Sequence, residues 1–278
     1  MSDTQGTLYI VGTPIGNLGD ISPRAVETLR QVDCIACEDT RHTLGLLNHL
    51  EIRKPLVACH KFNESECADR LAARLLNGEN IALVSDAGMP AISDPGAKVV
   101  QRLRESGCRI AVVPGPTAVT SAVALCGLTQ GIWTFVGFLP ERKKDRRALL
   151  QQLTQVPGAL VFYCSPHDLS DTLDELAESL GARRFHLVRE LTKLYESYDS
   201  GVLGEYTVEQ ARGEYVIVVE PADPPAQTQA PQDASDYASQ VAACMASGMD
   251  KKSAIKEIAR RYSVPKDVVY KSVLESES

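Results

Sequence analysis

No apolar run in the 278 residues approaches the roughly 20 needed to span a bilayer. The polar start Met-Ser-Asp-Thr-Gln-Gly also lacks the basic-then-apolar character of a signal peptide. A soluble, cytoplasmic chain without a membrane partner is expected. A spaced cysteine framework is missing too: most of the eight cysteines lie inside apolar stretches, as suits a reducing compartment. Cys34 and Cys37 sit three apart in a strand-like stretch, so their thiols point to opposite faces and cannot chelate one metal. With no second cysteine pair to complete a zinc site, no metal is expected. There is no excess of positive charge either: the net charge of −7 excludes a protein coated uniformly for nucleic acid, so any RNA contact must be local. The G-x-G-x-x-G pattern of nicotinamide dinucleotide folds does not appear.

What is present is alternation. Hydrophobic residues make up 44%, and the length suits two compact domains with a tail. Short apolar runs at Leu8–Val11, Cys34–Cys37, Leu56–Ala58, Ile81–Val84 and Ile110–Val113 read as strands, with helical patterns between them. Ile21-Ser22-Pro23 supplies a staple residue, an N-cap and a first-turn proline. Asn63 with Glu66 reads as a capping box closed by Gly78, and Asp94-Pro95 reads as the opening of a further helix. Strands at Thr134–Phe138, Leu160–Tyr163, Phe185–Val188 and Tyr215–Val219 continue the pattern. The reading is therefore an α/β domain over 1–127, a second over 128–220, a Pro/Gln/Ala-rich linker over 221–235, and a helical, helix-turn-helix-like tail over 236–278.

In open α/β sheets ligands bind beyond the carboxyl ends of the strands. There the first strand gives Gly12-Thr13-Pro14-Ile15-Gly16-Asn17-Leu18-Gly19-Asp20, which reads equally as a structural turn or a ligand loop. The second gives Glu38-Asp39-Thr40-Arg41-His42-Thr43. Capping a helix accounts for one of its carboxylates, while a base or an orienting group would use the others. The fourth gives Ser85-Asp86-Ala87-Gly88-Met89-Pro90-Ala91-Ile92-Ser93-Asp94-Pro95-Gly96, richer in Gly, Pro and Asp than a plain connection needs. The fifth gives Pro114-Gly115-Pro116-Thr117-Ala118, a rigid turn into a helix with free amides.

Taken together and in this order, GTPIGNLGD, EDTRHT, SDAGMPAISDPG and PGPTAVTSA resemble the tetrapyrrole-methylase superfamily of class III methyltransferases. With Arg189-Glu190-Leu191-Thr192-Lys193, the chain is similar to the bacterial ribosomal RNA small-subunit methyltransferase I group over about residues 6 to 220. The resemblance implies two α/β domains with S-adenosylmethionine in the cleft between them, and a homodimer. It implies methylation of a cytidine ribose 2′-hydroxyl at the decoding site, with the RNA of the small (30S) subunit as partner. Carried over position by position, Pro14, Gly16, Asn17, Asp86, Ala87, Gly88, Thr117 and Ala118 would line the cofactor cleft, closed by Tyr163 and Leu191. Glu38, Asp39, Arg41, Glu190 and Lys193 are the candidates for chemistry.

Three positions depart from the group. Cys164 and Asp168 stand where Tyr-Glu-Ser-Pro-His-Arg is usual, and Met89 replaces the usual threonine. The basic run Arg142, Lys143, Lys144, Arg146 and Arg147 is the candidate RNA contact, although charge alone fits a solvated helix start. A small-molecule methylase of tetrapyrrole type and a ribosome-binding homologue that has lost catalysis are the rival readings. That run and the basic C-terminal helices between Lys251 and Lys266, which a porphyrinoid enzyme would not require, argue against the first.

Overall fold

The computed structural model describes residues 5–129, 131–222, 234–262 and 264–276. The chain divides into two compact units, Met1–Pro221 and Ala222–Ser278. Among the described residues no helix is long and apolar enough to cross a membrane.

The first unit holds two five-stranded sheets. Five strands, β1 (Thr7–Val11), β2 (Cys34–Cys37), β3 (Leu56–Ala58), β4 (Ile81–Val84) and β5 (Arg109–Val113), pair in parallel in the order β3-β2-β4-β1-β5. Helices α1 (Pro23–Gln31), α2 (Thr40–His49), α3 (Glu64–Leu76) and α4 (Ala97–Glu105) connect them. Strands β2 and β4 are buried on both faces, as a parallel sheet covered on both sides requires. Cys34 packs in the cluster with Leu71, Leu75 and Leu103, whereas Cys37 packs in the opposite one with Leu29 and Leu47. Two residues three apart have gone to opposite faces.

The caps follow local chemistry. Ser22 Oγ accepts from Ala25 N and opens α1 with Pro23 in its first turn. Asn63 does not close a capping box; its Oδ1 accepts from His60 N at 2.8 Å instead. Nor does Asp94-Pro95 open α4, whose N-cap is Gly96 at φ 123°. The reason is that Glu64, a buried carboxylate at the start of α3, accepts from Gly96 N at 2.8 Å and caps α4 from another helix. Asp94 is thereby left for other work.

The second sheet is mixed. Strands β6 (Trp133–Phe138), β7 (Ala159–Cys164), β8 (Arg184–Arg189), β9 (Ser197–Val202) and β10 (Tyr215–Val219) lie in the order β6-β7-β10-β8-β9. Only β6 and β7 pair in parallel. Helices α6 (Lys143–Leu153) and α7 (Leu169–Leu180) cover one face. The other face meets α5 (Ala118–Cys126) of the first half, where Val119 and Ala122 pack on Val161, Val188, Val216 and Val218. This apolar seam joins the halves. β9 went unread in the sequence because Ser-Tyr-Asp-Ser-Gly-Val is a largely exposed edge strand with no apolar alternation.

In the second unit α8 (Ala234–Ala246), α9 (Lys251–Arg261) and α10 (Lys266–Ser276) surround a core of Tyr237, Val241, Ile258, Tyr262, Val269 and Val273. Most of the linker, residues 223–233, lies outside the described residues.

Candidate active site

Adjacent strands β4, β1 and β5 deliver their carboxyl-terminal loops side by side, and a cleft of about 420 Å³ opens between these loops and the second sheet. Ile15, Ala87, Gly88, Met89, Ser93, Asp94, Thr117 and Ala118 line it from the first half. From the second come Phe138, Tyr163, Leu191, Lys193 and Glu214. The volume and largely apolar walls with a few polar groups suit a small-molecule site.

The β4 loop is pinned at both ends. Thr13 and Gly88 exchange backbone hydrogen bonds of 2.9 and 3.1 Å, and Thr13 Oγ1 donates to Ser85 O. Glu64 holds the far end through Gly96. Between them the backbone turns left-handed at Gly88 (φ 78°) and at Ala91 (φ 68°), the latter costly for a residue with a side chain. Gly12 and Gly115 touch backbone to backbone: a Cβ on Gly115 would fall 2.8 Å from Gly12 Cα. The β1 and β5 loops close up only because both are glycine. Tyr163 reaches across from β7, its ring edge-on to Phe135 and Phe138. Burial raises its pKa.

Of the residues expected at the cofactor, Ala87, Gly88, Thr117, Ala118, Tyr163 and Leu191 line the cleft. Pro14, Gly16, Asn17 and Asp86 do not. Asn17 Oδ1 is spent accepting Gly19 N at 2.9 Å, and Asp86 turns toward β2, accepting Asp39 N at 3.3 Å. Ile15 takes the place expected of its neighbours. Sequence reading also missed Asp94 as a cleft residue, having placed it at a helix start. The signal available was a second carboxylate in a loop longer than a cap requires.

The candidates for chemistry fall into two separate networks. In the first, Asp39 caps α2 and pairs with Arg41 (2.7 Å), and those hydrogen bonds hold its carboxyl down at about 2. Glu38 is pushed upward, first by burial and then by Asp86 and Asp94. Asp94 is likewise raised by burial, against a hydrogen bond from Ser85. In the second network Lys193 Nζ lies 3.0 Å from Glu190 Oε1 and 2.8 Å from Glu214 Oε2. Burial opposes its charge, but the two carboxylates prevail and raise its pKa. The amide of Glu214, with Lys193, lowers Glu190. Lys193 and Glu214 line the cleft; Glu38, Asp39, Arg41 and Glu190 do not.

The loop carrying Lys193 is strained. Glu190 (φ 52°) and Thr192 (φ 64°) are both left-handed, a rare state for a β-branched residue. The Thr192 amide is held by Glu196 Oε2 at 2.6 Å, and Thr192 Oγ1 is buried with no hydrogen-bond partner among the described residues. Strain of this kind concentrates where a site must be held in shape.

The basic run behaves unevenly. Arg142, Lys143, Lys144 and Arg147 are exposed. Arg146 is not available to a phosphate in the same way: it donates to Pro140 O at 2.9 Å and pairs with Glu175 at 3.2 Å, its side chain only 15% exposed. It ties α6 to α7.

The sequence model of the family described as Tetrapyrrole (Corrin/Porphyrin) Methylases matches residues 7–207, so the chain belongs to the tetrapyrrole methylases. Solved structures share the fold at low identity. Uroporphyrin-III-C-methyltransferase from Thermus thermophilus has a TM-score of 0.56 at 19% identity, covering 78% of this chain and 94% of its own. The methyltransferase CobJ gives 0.60 at 19%, covering 78% and 95%. Among curated relatives, Ribosomal RNA small subunit methyltransferase I of Xylella fastidiosa is 42% identical over 96% of this chain and 98% of its own length. The protein of the same name from Escherichia coli O157:H7 is 41% identical over 99% and 97%. Within the family the chain belongs to the ribosomal RNA small subunit methyltransferase I group.

Proposed function

We propose that this chain transfers a methyl group from S-adenosylmethionine to the ribose 2′-hydroxyl of a cytidine at the decoding site of small-subunit ribosomal RNA, as a cytoplasmic homodimer. The reading rests on full-length similarity to relatives of that name together with one observation: the cleft brings a raised-pKa carboxylate, Asp94, and a protonated lysine, Lys193, into one lining. The residues fit the cofactor, since an apolar wall with Tyr163 and Phe138 suits a planar ring. Ala87, Gly88, Thr117, Ala118, Tyr163 and Leu191 would hold it. S-adenosylmethionine supplies an electrophilic methyl on a sulfonium.

What the chain must add is a better nucleophile and its placement. A ribose hydroxyl is a poor nucleophile until a base takes its proton. Lys193 keeps its own proton, so it serves as a fixed cation beside the developing oxyanion. Asp39 and Glu190 are held ionised by hydrogen bonds and are weak bases. The proton goes best to a carboxylate raised by burial, and of Asp94 and Glu38 the first lies in the cleft. The exposed Lys143, Lys144 and Arg147 favour an RNA substrate over a small tetrapyrrole. The test is to incubate the protein with labelled S-adenosylmethionine and either naked small-subunit RNA or assembled subunits, then map the labelled nucleotide. Label on a base, or on no RNA, overturns the reading.

A further inference from the structure

Beyond β3 the chain runs through Cys59-His60-Lys61-Phe62-Asn63 before α3 begins. Asn63 locks this turn: its Oδ1 accepts from His60 N (2.8 Å), its Nδ2 donates to Ala58 O (3.1 Å), and its amide donates to His60 O (2.9 Å). On the apex of so fixed a turn stands Phe62, 84% exposed. Lys61 Nζ lies 5.0 Å from the centroid of its ring, and the His60 ring meets it edge-on at 6.1 Å. His60 Nδ1 is buried with no hydrogen-bond partner among the described residues.

The neighbourhood is that of the first chemical network. Cys59 N donates to Cys37 O at 2.8 Å, which sets this turn beside Glu38-Asp39-Thr40-Arg41-His42. Arg41 projects with its side chain 90% exposed, and His42 is exposed. The acids there are largely committed or set back: Asp39 pairs with Arg41, Glu38 is half-buried, and Glu64 is buried on Gly96. Glu66, exposed in the first turn of α3, is the one left open. The outward face is therefore an aromatic ring interleaved with basic groups, at the carboxyl-terminal edge of the sheet that bears the cleft.

A phenyl ring held in water by a hydrogen-bonded turn gains nothing in the isolated chain, since the hydrophobic effect favours its cover. We propose that Phe62 is a stacking platform for an unpaired nucleobase of the RNA substrate, with Lys61 facing the flanking phosphate. The proposal rests on the RNA reading and deepens it: sequence-specific RNA recognition splays bases from single strands onto aromatic faces, and nearby cations meet the backbone. A flat ring with positive groups around it offers both.

The test uses the full chain as wild type, Phe62→Ala, Phe62→Trp and Lys61→Ala. Methyl transfer to RNA gives KM and kcat, calorimetry gives S-adenosylmethionine affinity, and sedimentation gives mass. Phe62→Ala should raise the KM for RNA about tenfold, with cofactor affinity, melting temperature and mass unchanged; Phe62→Trp should keep the wild-type KM, and Lys61→Ala should flatten its salt dependence. An unchanged KM in Phe62→Ala overturns the platform and leaves the methyltransferase reading standing, and loss of dimer mass in Phe62→Ala shows that a second copy covers the ring instead. If wild type transfers no methyl to RNA, the functional reading fails by itself. Quenching of a fluorescent base in a single-stranded RNA oligonucleotide, present in wild type and lost in Phe62→Ala, would still support the platform, and equal quenching in both would overturn it.

Discussion

Gly16 lies directly against Lys193: a Cβ on the glycine would fall 2.4 Å from Lys193 Cγ, 2.9 Å from Leu191 O and 3.0 Å from Thr192 Oγ1. The loop after β1 and the strained loop after β8 are thus in van der Waals contact across the two halves, through a position that only glycine fills. Gly16 lines no cleft, yet it sets where the lysine ammonium stands.

Gly16→Ala should therefore push the 191–193 loop away, because Leu191 O is backbone and cannot swing aside. Overpacking of this kind costs roughly 1–3 kcal/mol. The expected outcome is a melting temperature a few degrees lower and methyl transfer reduced by about tenfold or more, with Lys193→Ala adding little further loss in the double variant. Additive losses would show that the glycine acts elsewhere.

Lys193→Ala should lower turnover by about 10²-fold while changing S-adenosylmethionine affinity much less, since loss of one preorganised charge acts on developing charge. Lys193→Arg keeps the cation and should recover part of the rate. Equal losses in kcat and in cofactor affinity would assign Lys193 to binding.

The carboxylates carry a pH prediction. Burial raises the folded pKa of Asp94 and of Glu38 above ordinary values. A group raised in the folded state contributes stability that is present below its unfolded pKa and lost as pH rises through the folded one. Asp94→Asn should then be more heat-stable than wild type at neutral pH and equal to it near about pH 4, while losing most methyl transfer. Thermal melts at both pH values decide. A variant less stable at neutral pH would mean that Asp94 is held by favourable contacts of its charge.

How much of this was legible in the sequence depends on the kind of signal. Strands such as Ile81–Val84, and the capping role of Ser22, are written in neighbouring residues, and a linear reading finds them. Glu64 capping Gly96 joins residues 32 apart in sequence. No local pattern carries that contact, and without it Asp94 looks like an ordinary helix start. Arg146 is indistinguishable from its neighbours in the sequence because charge runs hide helical phase. One residue of the run faces α7 and the rest face water.

Cys164 and Asp168 are linked through Ser165, whose carbonyl accepts from Cys164 Sγ at 3.3 Å and whose hydroxyl donates to Asp168. Cys164 is buried near Thr172, its thiol pushed up to about 11 by burial, and Asp168 accepts from Ser165 Oγ at 2.6 Å. Cys164→Glu alone would bury a carboxyl beside Asp168, with Arg146 the nearby cation already paired to Glu175, and should destabilise by about 1–3 kcal/mol. Cys164→Glu with Asp168→Arg should recover much of that. Denaturant midpoints of the two singles and the double give the coupling, and a coupling near zero would mean that the two side chains do not interact.

The RNA prediction separates residues that the sequence runs together. Lys143, Lys144 and Arg147 are exposed on α6, whereas Arg146 is built into the contact with α7 through Pro140 O and Glu175. Phosphate contacts release counterions, so each cation that touches the backbone steepens the salt dependence of binding by a little under one unit in the log–log slope. Replacing Lys143, Lys144 and Arg147 together with alanine should weaken RNA binding and flatten that slope by about two units, with melting temperature and S-adenosylmethionine affinity unchanged. Arg146→Ala should do the reverse. It leaves Glu175 unpaired and frees α6 from α7, so it should lower the melting temperature by several degrees with little effect on the slope. RNA affinity measured across a salt series, beside a melt of each variant, distinguishes the two. A wild-type slope in the triple variant would remove α6 from the RNA path, and an intact melt in Arg146→Ala would show that its ion pair contributes nothing to holding the two helices together.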